Sequence, residues 1–207
     1  MNINKLPNII PIFPLSGALL LPNGNLPLNI FEPRYIDMVD HAMKTDKIIG
    51  MIQENSKNKE FNNLYSIGCL GTITQYNETD DGRYIINLNG LIRFKFIKEE
   101  ESYQKFRKLK VDYSDFKQDL VSNFEKCFDR KNFLDEAKVY LSKNSIYFDW
   151  NTLKKVEETL LITSFASICP FSVAEKQMIL ECIDTNEIPK TILSLFKMSH
   201  EQSDLVN

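Results

Sequence analysis

Hydrophobic positions at the front of the chain are interrupted by prolines and glycines and do not follow a helical period. Residues 6–31 carry no charge, yet these 26 residues include five prolines. Proline removes a backbone donor and breaks a helix. The segment is therefore not a membrane-spanning helix, which needs about 20 uninterrupted apolar residues. We predict short extended pieces here instead, with strands over residues 9–15 and 26–31.

A single helix is predicted directly after this segment. Pro33 suits the first position of a helix, where a missing N–H costs nothing. Apolar residues then recur at i, i+4, i+7 and i+8, so they share one face of a helix that ends near Thr45. The residues on this face are Tyr35, Val39, Ala42 and Met43.

Two dipeptides indicate turns in the strand-rich stretch that follows. Asp81-Gly82 and Asn89-Gly90 are combinations that favour tight hairpins. With a last apolar alternation that ends at Tyr113, they predict a meander that closes into a small twisted barrel or half-barrel. The predicted strands cover residues 47–53, 67–76, 83–88, 91–97 and 109–113.

The back of the chain has helical spacing and contains no glycine beyond residue 112. One helix is predicted over residues 151–168, ending before Pro170. Ser172 and Glu175 form a capping-box pattern for the next helix, and Pro189 lies near the start of the last. The inward positions of the first three helices are Leu120, Val121, Phe124 and Phe128; Phe133, Leu134, Ala137 and Leu141; and Leu153, Val156, Leu160 and Leu161.

This shift in composition predicts an α+β fold in two parts. Six of the eight prolines fall in the first 33 residues, and six of the seven glycines occur by residue 82. We predict a β-domain with one helix over residues 1–113 and an α-helical bundle over residues 114–207.

Charge and composition narrow the class of partner. The net charge is −3, which gives no reason to expect nucleic acid or an anionic membrane as the main partner. Proline breaks the apolar run near the N-terminus, so we expect no signal peptide. These features predict a cytoplasmic protein.

Candidate catalytic and metal-binding residues are few. The four cysteines show no C-x-x-C pair and no histidine at metal-ligand spacing, so we expect reduced thiols, no metal and no cofactor. His41 and His200 fall in different predicted parts. Cys169 lacks a neighbouring base that would activate it as a nucleophile. A hydrolase that uses Cys169 or a serine is the weakest possibility, and we expect no enzymatic activity.

Several blocks of the sequence occur in an order that is typical of one known family. The blocks are residues 10–15 (IPIFPL), 21–24 (LPNG), 26–35 (LPLNIFEPRY), 49–50 (IG), 67–73 (IGCLGTI), 89–94 (NGLIRF) and 170–177 (PFSVAEKQ). Together they resemble the N-terminal substrate-binding domain of Lon proteases, above all its stand-alone bacterial versions, and the resemblance covers roughly residues 8–198.

The resemblance implies a PUA-like β-domain followed by a helical bundle. In full-length Lon proteases this region helps to recognise unfolded or tagged protein substrates and contributes to assembly. Cereblon, a ubiquitin-ligase substrate receptor, carries a related domain. The 207 residues contain no G-x-x-x-x-G-K-[ST] phosphate loop. The resemblance therefore implies a protein-binding module without the Lon ATPase and peptidase domains.

A binding surface is predicted where charge returns after the apolar segment. We expect Arg34 and Tyr35 to line a groove beside an exposed loop, because an exposed apolar patch commonly marks a binding face. An extended polypeptide could add to an edge strand there. The partners would be unfolded or apolar protein segments, with a protease or chaperone machine as a further partner. The loop residues of this predicted site are Leu19, Leu20, Leu21 and Pro22. The alternative to a binding site is a purely structural arrangement. In that case Glu32 is a carboxylate favoured by the dipole at the helix N-terminus, and Arg34 is an ordinary surface arginine.

An RNA-binding module is the alternative function. Tyr103 and Phe106 lie among four basic residues, and such a mixture suits single-stranded RNA. The acidic residues 99–101 nearby argue against it, and a solvated strand edge explains the same charges. The basic residues are Lys105, Arg107, Lys108 and Lys110.

Overall fold

A computed structural model describes residues 3–121 and 128–204. Its strands are β1 (Ile9–Pro14), β2 (Asn25–Ile30), β3 (Ile48–Glu54), β4 (Leu64–Glu78), β5 (Tyr84–Glu100) and β6 (Lys108–Asp112). Its α-helices are α1 (Pro33–Met43), α2 (Arg130–Lys143), α3 (Trp150–Leu153), α4 (Glu158–Ile168), α5 (Val173–Glu181) and α6 (Glu187–Asp204). Short 3-10 turns occupy Ile3–Lys5 and Ser114–Leu120.

Five strands close into a barrel. β4 lies between β3 and β5, β3 pairs in parallel with β1, and β1 pairs with β6. The pairing of β5 with β6 completes the ring. The predicted α+β class and barrel are confirmed, although the strands do not form a simple meander, since β1 and β3 run in parallel.

The predicted turn at Asn89-Gly90 is wrong, because both residues lie inside the 17-residue strand β5. Gly90 is needed there for close approach. A Cβ atom at this position would lie 2.0 Å from the carbonyl oxygen of Leu21. The Gly90 carbonyl accepts from Asn23 N at 2.9 Å, and its N–H donates to Gly24 O at 2.9 Å. The dipeptide therefore does not reverse the chain. Its glycine allows the backbone of residues 21–24 to pack directly against β5.

Strand β2 extends the sheet beyond the barrel, and among the described strands it pairs only with β5, along the first half of that strand. Pro27 lies in the middle of this edge strand, opposite Asn87. Since proline has no N–H, an added strand could not form a continuous ladder there. The free edge of β2 is thus a poor template for the strand addition that the sequence suggested.

Two apolar cores meet at the sheet. One fills the barrel and includes Ile12, Leu70 and Phe94. The other joins the outer strands to α1 and to the C-terminal helices, and includes Leu20, Leu88 and many helical residues. Its members that are 0% exposed and lie on the C-terminal helices are Phe133, Ala137, Leu141, Ile162, Ala166, Ile179, Ile188, Ile192 and Phe196.

A buried ion pair fastens the barrel to the helices. The side chains of Arg93 in β5 and Asp119 are both 0% exposed. Arg93 Nη2 donates to Asp119 Oδ1 at 2.7 Å, and Arg93 Nε donates to Asp119 Oδ2 at 3.0 Å. The guanidinium also donates to the carbonyls of Leu180 and Cys182 at the end of α5. These bonds satisfy a charge that would otherwise be costly to bury.

The helical part differs from the prediction at several places. Val121 and Leu160, both predicted to face inward, are 84% and 44% exposed. The helix predicted over residues 151–168 is interrupted between α3 and α4. The helix end at Ile168 and the capping box of Ser172 with Glu175 are confirmed. The predicted helix with Leu120 and Val121 reaches residues outside the described ranges, including Phe124, and its described start is the 3-10 turn. Among the described residues, no helix is long and apolar enough to cross a membrane.

Candidate functional site

The predicted apolar loop is buried, so the expectation that it would be exposed is wrong. Leu19, Leu20 and Leu21 are 1%, 2% and 1% exposed, and Pro22 is buried too. Leu20 packs so closely on β4 that a Cβ at Gly71 would lie 2.8 Å from its Cδ2 atom. The loop is uncharged because it belongs to the core.

This loop and the residues just before it also join the β-part to the helices through partly buried polar contacts. Lys176 Nζ donates to Gly17 O at 2.8 Å and to Ser167 O at 3.0 Å, and Ser167 Oγ donates to Leu19 O at 2.9 Å. Gly17 N donates to the side chain of Gln53 at 3.0 Å. Burial lowers the pKa of Lys176. These contacts give the loop a structural role.

Only Arg34, among the six predicted binding residues, has an exposed side chain. It pairs with Glu32 at 2.9 Å, and its guanidinium carbon lies 4.4 Å from the centre of the Tyr35 ring. Tyr35 itself is buried beside Phe13, with 4.3 Å between ring centres. Burial raises the pKa of Tyr35. The six residues therefore do not form a continuous exposed groove, and their role in binding stays a prediction.

The residues that suggested RNA binding are largely engaged within the protein. Phe106 is buried. Arg107 Nη2 lies 2.7 Å from Glu99 Oε2, and Lys105 Nζ lies 3.2 Å from Asp37 Oδ2. Tyr103 and Lys110 are exposed. Because single-stranded RNA stacks on accessible aromatic rings, and only one of the two predicted rings is accessible, this arrangement does not favour RNA.

Lys176 lies close enough to Cys169 to lower the pKa of its thiol, but the opposing effect of burial is larger. Cys169 is buried, and burial raises the pKa of its thiol to about 12. A thiol with so high a pKa is protonated near neutral pH and is a poor nucleophile. In residues 3–121 and 128–204, no cluster of three metal-ligating side chains occurs.

An open apolar groove lies elsewhere, in the helical part. It has a volume of about 220 Å³. Two of its side chains are well exposed at the rim, Leu160 at 44% and Ile168 at 54%. We call it the helical groove. Its lining residues are Leu141, Phe148, Leu153, Val156, Leu160, Leu161, Ser164, Phe165, Ile168 and Cys169.

The interruption between α3 and α4 shapes this groove. Glu157 caps α4, since its carboxylate accepts from Thr159 N and Leu160 N, each at 2.9 Å. The carbonyls released at the break are not left unpaired. Arg130 Nη2 donates to Leu153 O at 2.9 Å and to Val156 O at 2.5 Å. These bonds stabilise the bend between α3 and α4. Because of this bend, the side chains that were predicted to face inward on one continuous helix line the helical groove instead.

The helical groove was not predicted from the sequence, for a physical reason. The spacing of Leu153, Val156, Leu160 and Leu161 fits a continuous helix with a core face. The capping carboxylate of Glu157 was the signal that could have indicated a helix start within this stretch.

The lining of the helical groove limits what it can hold. None of its ten lining residues is charged, and Ser164 is its one hydroxyl. Its volume is below the ~300–1,000 Å³ of pockets that enclose small molecules. The groove thus suits one or two apolar side chains of a larger partner.

Known proteins match nearly the whole chain. A family model described as the ATP-dependent protease La (LON) substrate-binding domain matches residues 9–197. The Lon protease of Syntrophus aciditrophicus (strain SB) is 27% identical over 200 residues, which cover 88% of this chain and 24% of that protein. The Lon protease of Bacillus thuringiensis (strain Al Hakam) is 26% identical over 211 residues, with 97% and 25% covered. The chain spans about a quarter of the length of these relatives.

Solved structures have the same fold. The crystal structure of a Lon N-terminal domain protein from Xanthomonas campestris aligns with a TM-score of 0.60 at 18% identity, over 90% of this chain and 97% of that one. The N-terminal domain of the Mycobacterium avium complex Lon protease aligns with a TM-score of 0.61 at 13% identity, over 91% and 98%. The family match and the shared fold lead to one conclusion: the chain belongs to the family of LON substrate-binding domains.

Proposed function

We propose that this chain is a non-catalytic module that binds apolar segments of unfolded polypeptides in the helical groove. The observation that carries the proposal is an open, uncharged groove within a fold whose family is described as substrate-binding. Burying one large apolar side chain contributes about 1.5–3 kcal/mol. One or two such side chains contribute about 1.5–6 kcal/mol before the cost of association is subtracted, so we expect binding weaker than micromolar.

We further propose that the module works together with a larger protein machine. Bound segments would be presented to a protease or chaperone machine in the cytoplasm, and the chain itself would break no bond. The relatives are Lon proteases, which supports a role beside protein degradation. We also propose that residues 1–113 and 114–207 form the two parts of the module.

A peptide-binding measurement tests the helical groove. The probe is a fluorescein-labelled, uncharged peptide that contains leucine and phenylalanine, and its twin has alanine at both positions. We expect the first peptide to bind and the twin to bind far more weakly. Leu160→Asp and Ile168→Asp should each weaken binding at least tenfold, about 1.4 kcal/mol, because each places a charge at the apolar rim.

Met178→Asp is the matched control. Met178 lies on α5, is 46% exposed and does not line the groove, so this variant should bind like the unaltered protein. Equal affinity of both groove variants for the leucine–phenylalanine peptide would refute the assignment of the site. Arg34→Glu in the same series tests the surface predicted from the sequence, and a loss of binding there would place the segment near α1.

A further inference from the structure

A second apolar surface lies on the outside of the barrel, far along the chain from the helical groove. Between Phe96 and Lys98 the register of β5 with β6 shifts by one residue, as in a β-bulge. A bulge redirects a side chain, and here Ile97 is 49% exposed. Ile97 lies three residues before the end of β5, and its exposed side chain does not belong to the barrel core.

The side chain of Ile97 belongs to a shallow depression, which we call the barrel patch. Ile3 and Leu6, from the N-terminal turn, form its apolar wall, and both are only partly buried. Ile9, which pairs with Lys110 across β1 and β6, is exposed beside it. Apolar side chains from three separate segments thus meet on one open surface.

Lysines border this apolar area. Lys110 and Lys117 both line the barrel patch. Within residues 3–121 and 128–204, neither has a carboxylate within ion-pair distance. Lys98 lies opposite Lys110 on β5, and its amine pairs with Glu100 at 3.0 Å. The lysine stems can cover apolar groups while the amines remain available at the rim.

One carboxylate also lines the barrel patch. Asp112 accepts from Ser114 Oγ at 2.5 Å and from Ser114 N at 3.1 Å, and these bonds, together with Lys95, lower its pKa. Lys95 lies opposite Asp112 in the sheet. The Asp112 carboxylate therefore already has hydrogen-bond donors and a nearby cation, whereas the amines of Lys110 and Lys117 are available to pair with an anionic group.

We propose that the barrel patch binds a polypeptide segment in which acidic side chains flank an apolar one. The apolar side chain would pack on Ile97 and Leu6, and the carboxylates would pair with Lys110 and Lys117. This site is separate from the helical groove and goes beyond the proposed function, because it selects segments by charge as well as by apolar character.

The observations favour a peptide over RNA as the occupant. The accessible apolar side chains of the barrel patch are aliphatic, whereas single strands stack on aromatic rings. Tyr113 is the aromatic residue in its lining, and it is buried with its hydroxyl donating to Pro7 O at 2.7 Å. The protein also carries a net charge of −3, which opposes general attraction of nucleic acid.

Two labelled peptides test the proposal on the full chain. One has a leucine flanked by glutamates, and its twin has glutamines in their place. We expect the glutamate peptide to bind at least tenfold more tightly, with an affinity that falls as salt rises. Equal affinities for the two peptides would overturn the proposal.

Paired variants locate the site. Lys110→Glu combined with Lys117→Glu should weaken the glutamate peptide at least tenfold and leave the glutamine peptide unchanged. Lys57→Glu combined with Lys138→Glu changes the net charge equally at exposed lysines outside the barrel patch and should have little effect. An equal loss of affinity for the glutamate peptide in both double variants would show nonspecific electrostatic attraction and would overturn the proposal.

Further measurements distinguish the barrel patch from the helical groove and from RNA binding. Leu160→Asp, in the helical groove, should leave binding of the glutamate peptide intact, so the two sites can succeed or fail independently. Ile97→Asn should weaken the glutamate peptide while thermal unfolding confirms that the fold is kept. Binding of a uridine oligonucleotide, but not of the glutamate peptide, would overturn the proposal in favour of RNA.

Discussion

At the scale of single residues, Arg93 shows how a recognisable sequence block can serve structure instead of binding. It belongs to the block of residues 89–94 on which the family resemblance partly rests. The structure places its guanidinium between the Asp119 carboxylate and the carbonyls that end α5, above the Phe116 ring at 4.6 Å. The sequence indicated the block, but the partners lie 26 to 90 residues further along the chain. No local pattern could have identified them.

Removing one member of this pair should destabilise the protein strongly. Asp119→Ala leaves the Arg93 charge buried without its carboxylate, and such losses cost about 3–5 kcal/mol. Urea unfolding followed by circular dichroism measures the change. Arg83→Met is the control, because Arg83 pairs with Asp81 at 2.7 Å on the exposed hairpin, and we expect no measurable loss. A small effect of Asp119→Ala would contradict the assigned role of the buried pair.

At the scale of elements, two similar dipeptides have opposite outcomes. Asp81-Gly82 forms the predicted hairpin turn, and Gly82 has a φ of 78° with open space around it. Asn89-Gly90 lies within β5, where the glycine admits the loop that contains Leu21. The local signal is alike in both cases. The difference comes from a loop about 70 residues earlier in the chain that packs across the strand, which sequence reasoning on neighbouring residues could not include.

The close approach at Gly90 leads to a test of this explanation. Gly90→Ala should lower the free energy of unfolding by about 1–3 kcal/mol, the usual cost of overpacking, because a backbone oxygen cannot move aside as a flexible side chain can. Gly82→Asn is the control, since asparagine tolerates a positive φ and its side chain would enter open space. Differential scanning calorimetry measures both. Equal melting temperatures for Gly90→Ala and the unaltered protein would refute the steric argument.

At the scale of the whole molecule, the fold class and most elements could be predicted, whereas the open surface could not. Periodicity and turn residues indicated a β-rich front and a helical back, and both are present. The exposure of Leu19–Pro22 was predicted wrongly. An uncharged segment needs an apolar environment, but its sequence does not show whether the protein's own core or a binding partner provides that environment. The helical groove depends on Arg130 and on a helix break, which are tertiary features.

The shared core predicts how the molecule unfolds. One buried cluster contains Leu20 and Leu88 from the β-part together with Phe133 and Phe196 from the helices. We expect the fluorescence of Trp150, in the helical part, and circular dichroism of the whole chain to report the same urea midpoint, as in a cooperative two-state transition. A clearly lower midpoint for Trp150 would mean that the helices come apart before the barrel.

The order of the strands has a consequence for synthesis on the ribosome. β1 starts at Ile9, but its antiparallel partner β6 ends at Asp112. The barrel therefore cannot close until more than half of the described chain has been translated. Before that point β1 has an unpaired edge, and open strand edges invite association with other nascent chains. We expect the most vulnerable period of biogenesis to end when β6 emerges.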